Sequence, residues 1–245
     1  MKNENIKKMN IHYMLWYFFI FSIVGLIMET IFCYLTMGIL ESRKGFIISP
    51  ICPVYGVGAV IIIYTLQFFK DGLKEVAIIS TIVGSAIEYI LSFILEAMYG
   101  NRFWDYSYLD FDINGRICLK YSIYWMLAGI IVVKVIKPII DKVMEKMPQK
   151  KIRLVDCTLF AFLVFDALIT VWGVNTYTDR AIQKYDNTLI KPKTENSKII
   201  KIKKEIGDKI FSDKLMLKTF PNIRIRDKKN KEIYIKDIIN LEERI

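Results

Sequence analysis

The sequence predicts an all-α integral membrane helical bundle of about five transmembrane helices, with a small helix-plus-hairpin C-terminal appendage. Three observations predict it. Of 245 residues, 53% are hydrophobic and the mean hydropathy is +0.31. The apolar residues gather into runs of the roughly 17–25 residues that a helix needs to cross hydrocarbon. The net charge of +10 is held unevenly: residues 1–173 carry 17 basic and 14 acidic side chains, and residues 174–245 carry 18 and 11. An apolar body, the polytopic transmembrane domain 1–178, is thus followed by a basic polar tail, 179–245.

Taken in order, Tyr13–Leu40 contains one charge, Glu29, and Gly45–Phe69 contains none. Val76–Met98 is apolar except for Glu88 and Glu96. Leu119–Ile140 is interrupted by Lys120, Lys134 and Lys137, of which the last two are placed to snorkel to an interface. Asp156–Tyr177 carries only Asp156 and Asp166. The first segment follows the basic residues Lys2, Lys7 and Lys8, but its uncharged run continues to Met28 with no small-residue cleavage site behind it, so it reads as a retained signal anchor. Tyr13, Trp16 and Tyr17 before the first span, and Tyr99, Phe103, Trp104 and Tyr106 after the third, suit a headgroup belt.

The tail differs in kind. Ile199, Ile202, Ile206 and Ile210 recur at helical spacing with lysines between them, giving an amphipathic helix that Pro221 ends. Ile223 and Ile225, then Ile233 and Ile235, alternate around Asp227–Lys231 as a hairpin should. Counting Lys and Arg in the short loops puts eleven beside the N-terminus and five opposite, or nine opposite once the first twenty tail residues are added. An inside N-terminus and an outside tail follow from that bias.

Several function classes fall away. Cys33, Cys52, Cys118 and Cys157 each sit alone in or beside an apolar run and read as small hydrophobes, not as a disulfide framework. His12 is the one histidine, which excludes paired-His zinc sites, bis-His haem and HExxH chemistry. Neither GxxxxGK[ST] nor another phosphate-cradling loop occurs, so the chain does not hydrolyse nucleotide by a P-loop mechanism. No cofactor and no metal are implied, and no catalytic residues are nominated.

What remains is a set of intramembrane acids. A carboxylate in a spanning helix costs ~2.5–3.5 kcal/mol on insertion scales and normally faces the bundle interior or water. Glu29 shares a helical face with Ser22, Gly25 and Cys33. Thr81, Ser85, Glu88, Ser92 and Glu96 follow one side of the third span, and Asp166, Thr170 and Gly173 repeat the pattern in the fifth. Two readings stay open: a central acidic site for a cation, a proton or an amine-bearing solute, or interhelical glue. Glu96, near the end of its helix, reads as interfacial.

Pro50 and Pro53 bracket Cys52 and precede Tyr55-Gly56-Val57-Gly58, either an irregular backbone lining a site or a plain helix start. The loop from Asn101 to Cys118 is dense in aromatic and charged groups, including Trp104, Asp105, Asn114 and Arg116. Arg116 is placed to pair with Asp105 or Glu96.

These phrases carry a resemblance. Lys44-Gly45-Phe46 with Ser49-Pro50-Ile51-Cys52-Pro53-Val54-Tyr55-Gly56 resembles the RGF…GPxCPxYG signature of the type IV ABC-transporter (CmpB-like) family of bacterial multi-pass membrane proteins. So do Glu88-Tyr89 with Glu96, Trp104-Asp105-Tyr106-Ser107, Phe111 to Leu119, and Phe220-Pro221-Asn222 in the tail. The resemblance covers residues 13–175 in order and part of the tail, with Lys44 where the family usually has Arg, Ser49 for Gly and Asp112 for Asn. It implies an ABC transporter permease of the cell membrane, working with a separate ATPase subunit.

The expected function is therefore a permease or solute-binding membrane component with an acidic polar interior, more a binding protein than an enzyme. Its candidate binding residues are Glu29, Tyr55, Glu88, Trp104, Asp105, Asn114, Arg116 and Asp166. Membrane lipid is the expected partner and nucleic acid is not. The alternatives are an intramembrane acid–base enzyme using Glu29, Glu88 and Asp105 on a lipid, and a non-catalytic scaffold or sensor that works through its tail. Among the acids, Glu88 is expected to matter most, and the tail to be a separable accessory.

Overall fold

A computed structural model of the chain describes residues 10–69, 72–99, 102–146, 149–185, 198–226 and 232–240. Lys2, Lys7, Lys8, Lys70 and the predicted hairpin turn Asp227–Lys231 lie outside the described residues. Helix α1 spans Ile11–Met37, α2 Pro53–Leu66 and α3 Leu73–Tyr99. A two-stranded ribbon, β1 (Asp112–Ile113) with β2 (Ile117–Cys118), leads into α4, Leu119–Ile131. A π-turn at Val132–Ile136 joins α4 to α5, Lys137–Glu145, and α6 runs over Gln149–Tyr185. The tail forms α7 (Lys198–Ile210), α8 (Asp213–Thr219), β3 (Arg224–Arg226), β4 (Glu232–Tyr234) and α9 (Ile235–Asn240). Helices dominate and the short strands form only two hairpins, β1-β2 and β3-β4, among the described residues.

Local chemistry sets the ends. The Asn10 side chain accepts from Tyr13 N–H at 3.0 Å and caps α1. Gly38, at φ 67°, closes α1 in the left-handed conformation that a side chain would strain. Pro138 has no N–H to give the carbonyl four residues back, and the preceding turn widens so that Lys137 N–H reaches Val132 O. The helix therefore continues through the proline, and Leu119–Glu145 behaves as one span.

Among the described residues, four helices are long and apolar enough to cross a membrane: Ile11–Met37, Leu73–Met98, Leu119–Glu145 and Ile152–Tyr185. The second predicted span, Gly45–Phe69, is helical only over the 14 residues Pro53–Leu66. That is about 21 Å of helix against a ~30 Å hydrocarbon core. The physical reason is Pro53: it fits the first helical turn but cannot extend an earlier one. Cys52 N–H bonds Ser22 O at 3.0 Å, so α2 begins halfway along α1 and runs back beside its first half. Gly45–Cys52 consequently descends into the bundle as irregular chain.

The core has three parts. Tyr17, Phe21, Ala59, Ile63, Ile140 and Met144 close the end where α1 begins. Ile62, Leu66, Val76 and Trp125 join α2, α3 and α4 in the middle. At the other end Val174, Tyr177 and Ala181 of α6 are covered by Phe211, Met216, Phe220, Ile223, Ile225 and Ile235 of the tail. The outward faces carry large exposed apolar side chains such as Ile31, Leu35, Ile82, Ile90, Phe165 and Leu168. So much contiguous apolar surface is untenable in water and is the surface a bilayer covers. Between helices small residues permit close approach: a Cβ on Gly84 would stand 2.5 Å from the Trp125 ring, and one on Gly58 2.7 Å from it.

Candidate functional site: an aromatic-bound carboxylate pair

Trp125 sits between α2 and α3 because Gly58 and Gly84 leave room for its ring. Its indole N–H donates to Glu88 Oε2 at 2.8 Å. Glu88 Oε1 accepts from the Tyr106 hydroxyl, also at 2.8 Å. On the other side of Trp125, 5.7 Å away between ring centroids, lies Tyr55, which packs against Gly25 of α1. The Tyr55 hydroxyl donates to Glu29 Oε2. Glu29 and Glu88 thus stand at the two ends of a Tyr55–Trp125 pair, each held by aromatic donors instead of by Lys or Arg. Beside the pair is an apolar cavity of about 40 Å³, bordered by Phe21, Val24, Met28, Ile62, Ala128 and Val132.

The loop after α3 delivers Tyr106. Its phenol stacks on Tyr121 with centroids 4.3 Å apart. Burial, and then the charge of Glu88, push the Tyr106 hydroxyl well above its ordinary range, so it stays a proton donor at any physiological pH. Ser85 and Ser122 hydrogen-bond at 2.7 Å one turn from Glu88, tying α3 to α4.

Trp104, Asp105, Asn114 and Arg116 are placed elsewhere, at the rim. Arg116 donates to Ser92 Oγ at 3.0 Å and to Glu96 Oε2 at 2.5 Å, and lies over the rings of Tyr89 and Phe93. Of its two expected partners it takes Glu96. Asp105 pairs instead with Arg102 at 3.6 Å and with Arg224 of the tail at 3.3 Å. Trp104 Nε1 donates to Arg116 O, and Asn114 donates to Tyr89. Asp105 therefore does not join Glu29 and Glu88, and the three acids of the enzyme alternative are not assembled.

Asp166 is also apart. Fully buried in α6, it accepts from Ile48 N–H at 3.0 Å, Ser49 N–H at 2.7 Å and Ser49 Oγ–H at 2.5 Å. Thr170, one turn on, accepts from Ile47 N–H at 3.0 Å. Irregular backbone at membrane depth persists only where protein satisfies its polar groups, and this carboxylate does so for Ile47–Ser49 with its neighbour.

Two members of the cluster, Trp125 and Tyr106, were not among the residues nominated from sequence. One signal pointed to Trp125: a tryptophan in mid-span, away from either belt, must find an acceptor for its N–H when buried. Tyr106 carried only its place in the phrase Trp104-Asp105-Tyr106-Ser107, which does not single it out in a loop rich in aromatic rings.

A bundle with lipid-facing apolar walls and polar groups turned inward defines an integral membrane protein. The family model described as "Putative ABC-transporter type IV" matches residues 16–171, more than half of the chain, and the chain belongs to that family. Comparison with curated proteins and with solved structures finds no match.

Proposed function

We propose that this chain is the membrane-embedded permease or solute-binding component of a transporter, and that Glu29 and Glu88 bind a small cation or protonated amine. One observation carries the reading: two intramembrane carboxylates are served by three neutral aromatic donors, Tyr55, Trp125 and Tyr106. Neutral donors offset part of the desolvation cost of a carboxylate but add no charge; at Glu29 the Arg43 guanidinium lies within electrostatic range, bonded to Cys33 one turn away. A bound cation supplies the charge that the aromatic donors do not, and the faces of Tyr55 and Trp125 add an attraction of about 2 kcal/mol when desolvated. The adjoining apolar cavity takes a small alkyl part of the solute. Family membership supports the transporter class, and a separate ATPase subunit is the partner that class requires, since the chain has no phosphate-binding loop.

The test is binding by the purified chain of a panel of alkali cations and short alkylamines, read by tryptophan fluorescence in a background where Trp16, Trp104 and Trp172 are replaced by Phe so that Trp125 alone reports. Saturable binding that Glu29→Gln and Glu88→Gln each abolish, at normal abundance in the membrane, supports the proposal. Unaltered binding in both variants, or none to any member of the panel, overturns it. Co-purification of an ATPase with the tagged chain tests the partner.

A further inference from the structure

We propose that α7 is an interfacial anchor that lays an isoleucine stripe into an anionic lipid surface. This helix is fixed to the bundle by a different side from its stripe. Gly207 lies against α6 so closely that a Cβ there would stand 2.9 Å from Thr176 Oγ1 and 3.2 Å from Trp172 Nε1. Phe211 meets the Trp172 ring edge-on, and Asp208 pairs with Arg180 at 2.8 Å. Ile202, Ile206 and Ile210, at successive steps of four, lie on another face and are 48%, 43% and 51% exposed. A soluble appendage has no reason to present this row to water.

The depth of attachment says what covers it. On α6 the exposed apolar side chains of the span run up to Leu168; beyond it Trp172, Gly173, Val174 and Thr176 are covered by neighbouring elements, and apolar exposure returns only at Tyr185, the last residue of the helix. Leu168 is thus the last lipid-facing position before the tail begins. Trp172 and Thr176, where α7 sits, are four and eight residues further on, about 6 and 12 Å along the axis. That is headgroup depth, and Trp172 is the residue type that favours it. Beside the stripe the Lys209 side chain is 76% exposed, and the sequence adds Lys198, Lys201, Lys203 and Lys204 to the same 13 residues. An apolar row within a lysine-rich helix is the pattern that binds anionic bilayers in the interfacial plane.

The full chain in phosphatidylglycerol or phosphatidylcholine nanodiscs, open on both faces, tests this. Ile206→Cys and Lys209→Cys are each labelled with a hydrophilic, membrane-impermeant maleimide, with the wild type as baseline for the native thiols. The thiol at position 209 should label rapidly in both lipids. The thiol at 206 should label about ten-fold more slowly in phosphatidylglycerol than in phosphatidylcholine, and high salt should remove the difference. Equal rates at the two positions in phosphatidylglycerol overturn the proposal. So does protection at 206 that varies with protein density, which would mean that a second copy and not lipid covers the stripe.

Discussion

At the scale of single residues, the pair of carboxylates separates charge from hydrogen bonding in a way that mutation can exploit. Glu88→Gln keeps an acceptor for Trp125 Nε1–H and leaves an amide against the Tyr106 hydroxyl, so the variant should insert and accumulate normally while losing solute binding per molecule. Normal abundance with unchanged binding would make Glu88 interhelical glue, for which an amide serves almost as well, at ~0.6 kcal/mol per bond. Tyr106→Phe asks a different question of the same contact. It removes a bond to a carboxylate, worth about 1.5–3 kcal/mol, without opening a cavity of any size. Its melting temperature in detergent should fall, whereas Tyr108→Phe, at a 70% exposed position, should melt like the wild type. Equal melting of the two variants would remove Tyr106 from the site. That Glu29 and Glu88 face inward was legible from their stripes of small and hydroxyl residues. That Tyr55 and Trp125 bridge them was not, because a ring contact between α2 and α4 leaves no spacing in either helix.

At the scale of elements, the segment before α2 is the part of the fold in which helix and hydropathy part company. Hydropathy sees one uncharged run, Gly45–Phe69, whereas proline geometry begins the helix at Pro53. The eight residues before it then need acceptors inside the membrane. Asp166 was legible as an inward-facing acid, but its task was hidden: its partners are backbone N–H groups 117 and 118 residues away, and backbone donors leave no mark on a sequence. Asp166→Asn is therefore expected to be far from conservative. One side-chain oxygen remains for the three donors of Ile48 and Ser49 and for the more distant Thr170 hydroxyl, and each orphaned donor costs about 1–3 kcal/mol. Folded protein recovered from membranes should drop severely, as measured by monodisperse elution in detergent. Ser49→Gly removes only the hydroxyl bond and restores the residue usual in the related family, so it should recover nearly normally. Similar yields for the two variants would show that Asp166 does not hold this segment.

At the scale of the whole molecule, contacts sort the chain into two ends. His12 and Trp16 of α1 bond Asp156 at the start of α6, at 2.7 and 2.9 Å, and Tyr17 bonds Asp141 of α5. At the far end the tail meets both of the other loops: Asn222 donates to Glu41 at 3.1 Å, and Arg224 pairs with Asp105 at 3.3 Å. The beginning of α1 and the tail thus lie at opposite ends of the bundle. The positive charges of Lys74, Lys137, Lys142, Lys146 and Arg153 belong to the first end, and short basic loops stay in the cytoplasm. The tail's own lysines oppose this, but their pull weakens with distance from the last span. The N-terminus is accordingly expected inside and the tail outside. A single cysteine at Lys214, on the exposed first turn of α8, should react with an impermeant maleimide on intact cells, whereas one at Lys142 should react only after the cells are opened. The reverse pattern would invert the molecule in the membrane. It would also place the loop that carries Tyr106, the hydrogen-bond donor to Glu88, on the cytoplasmic side.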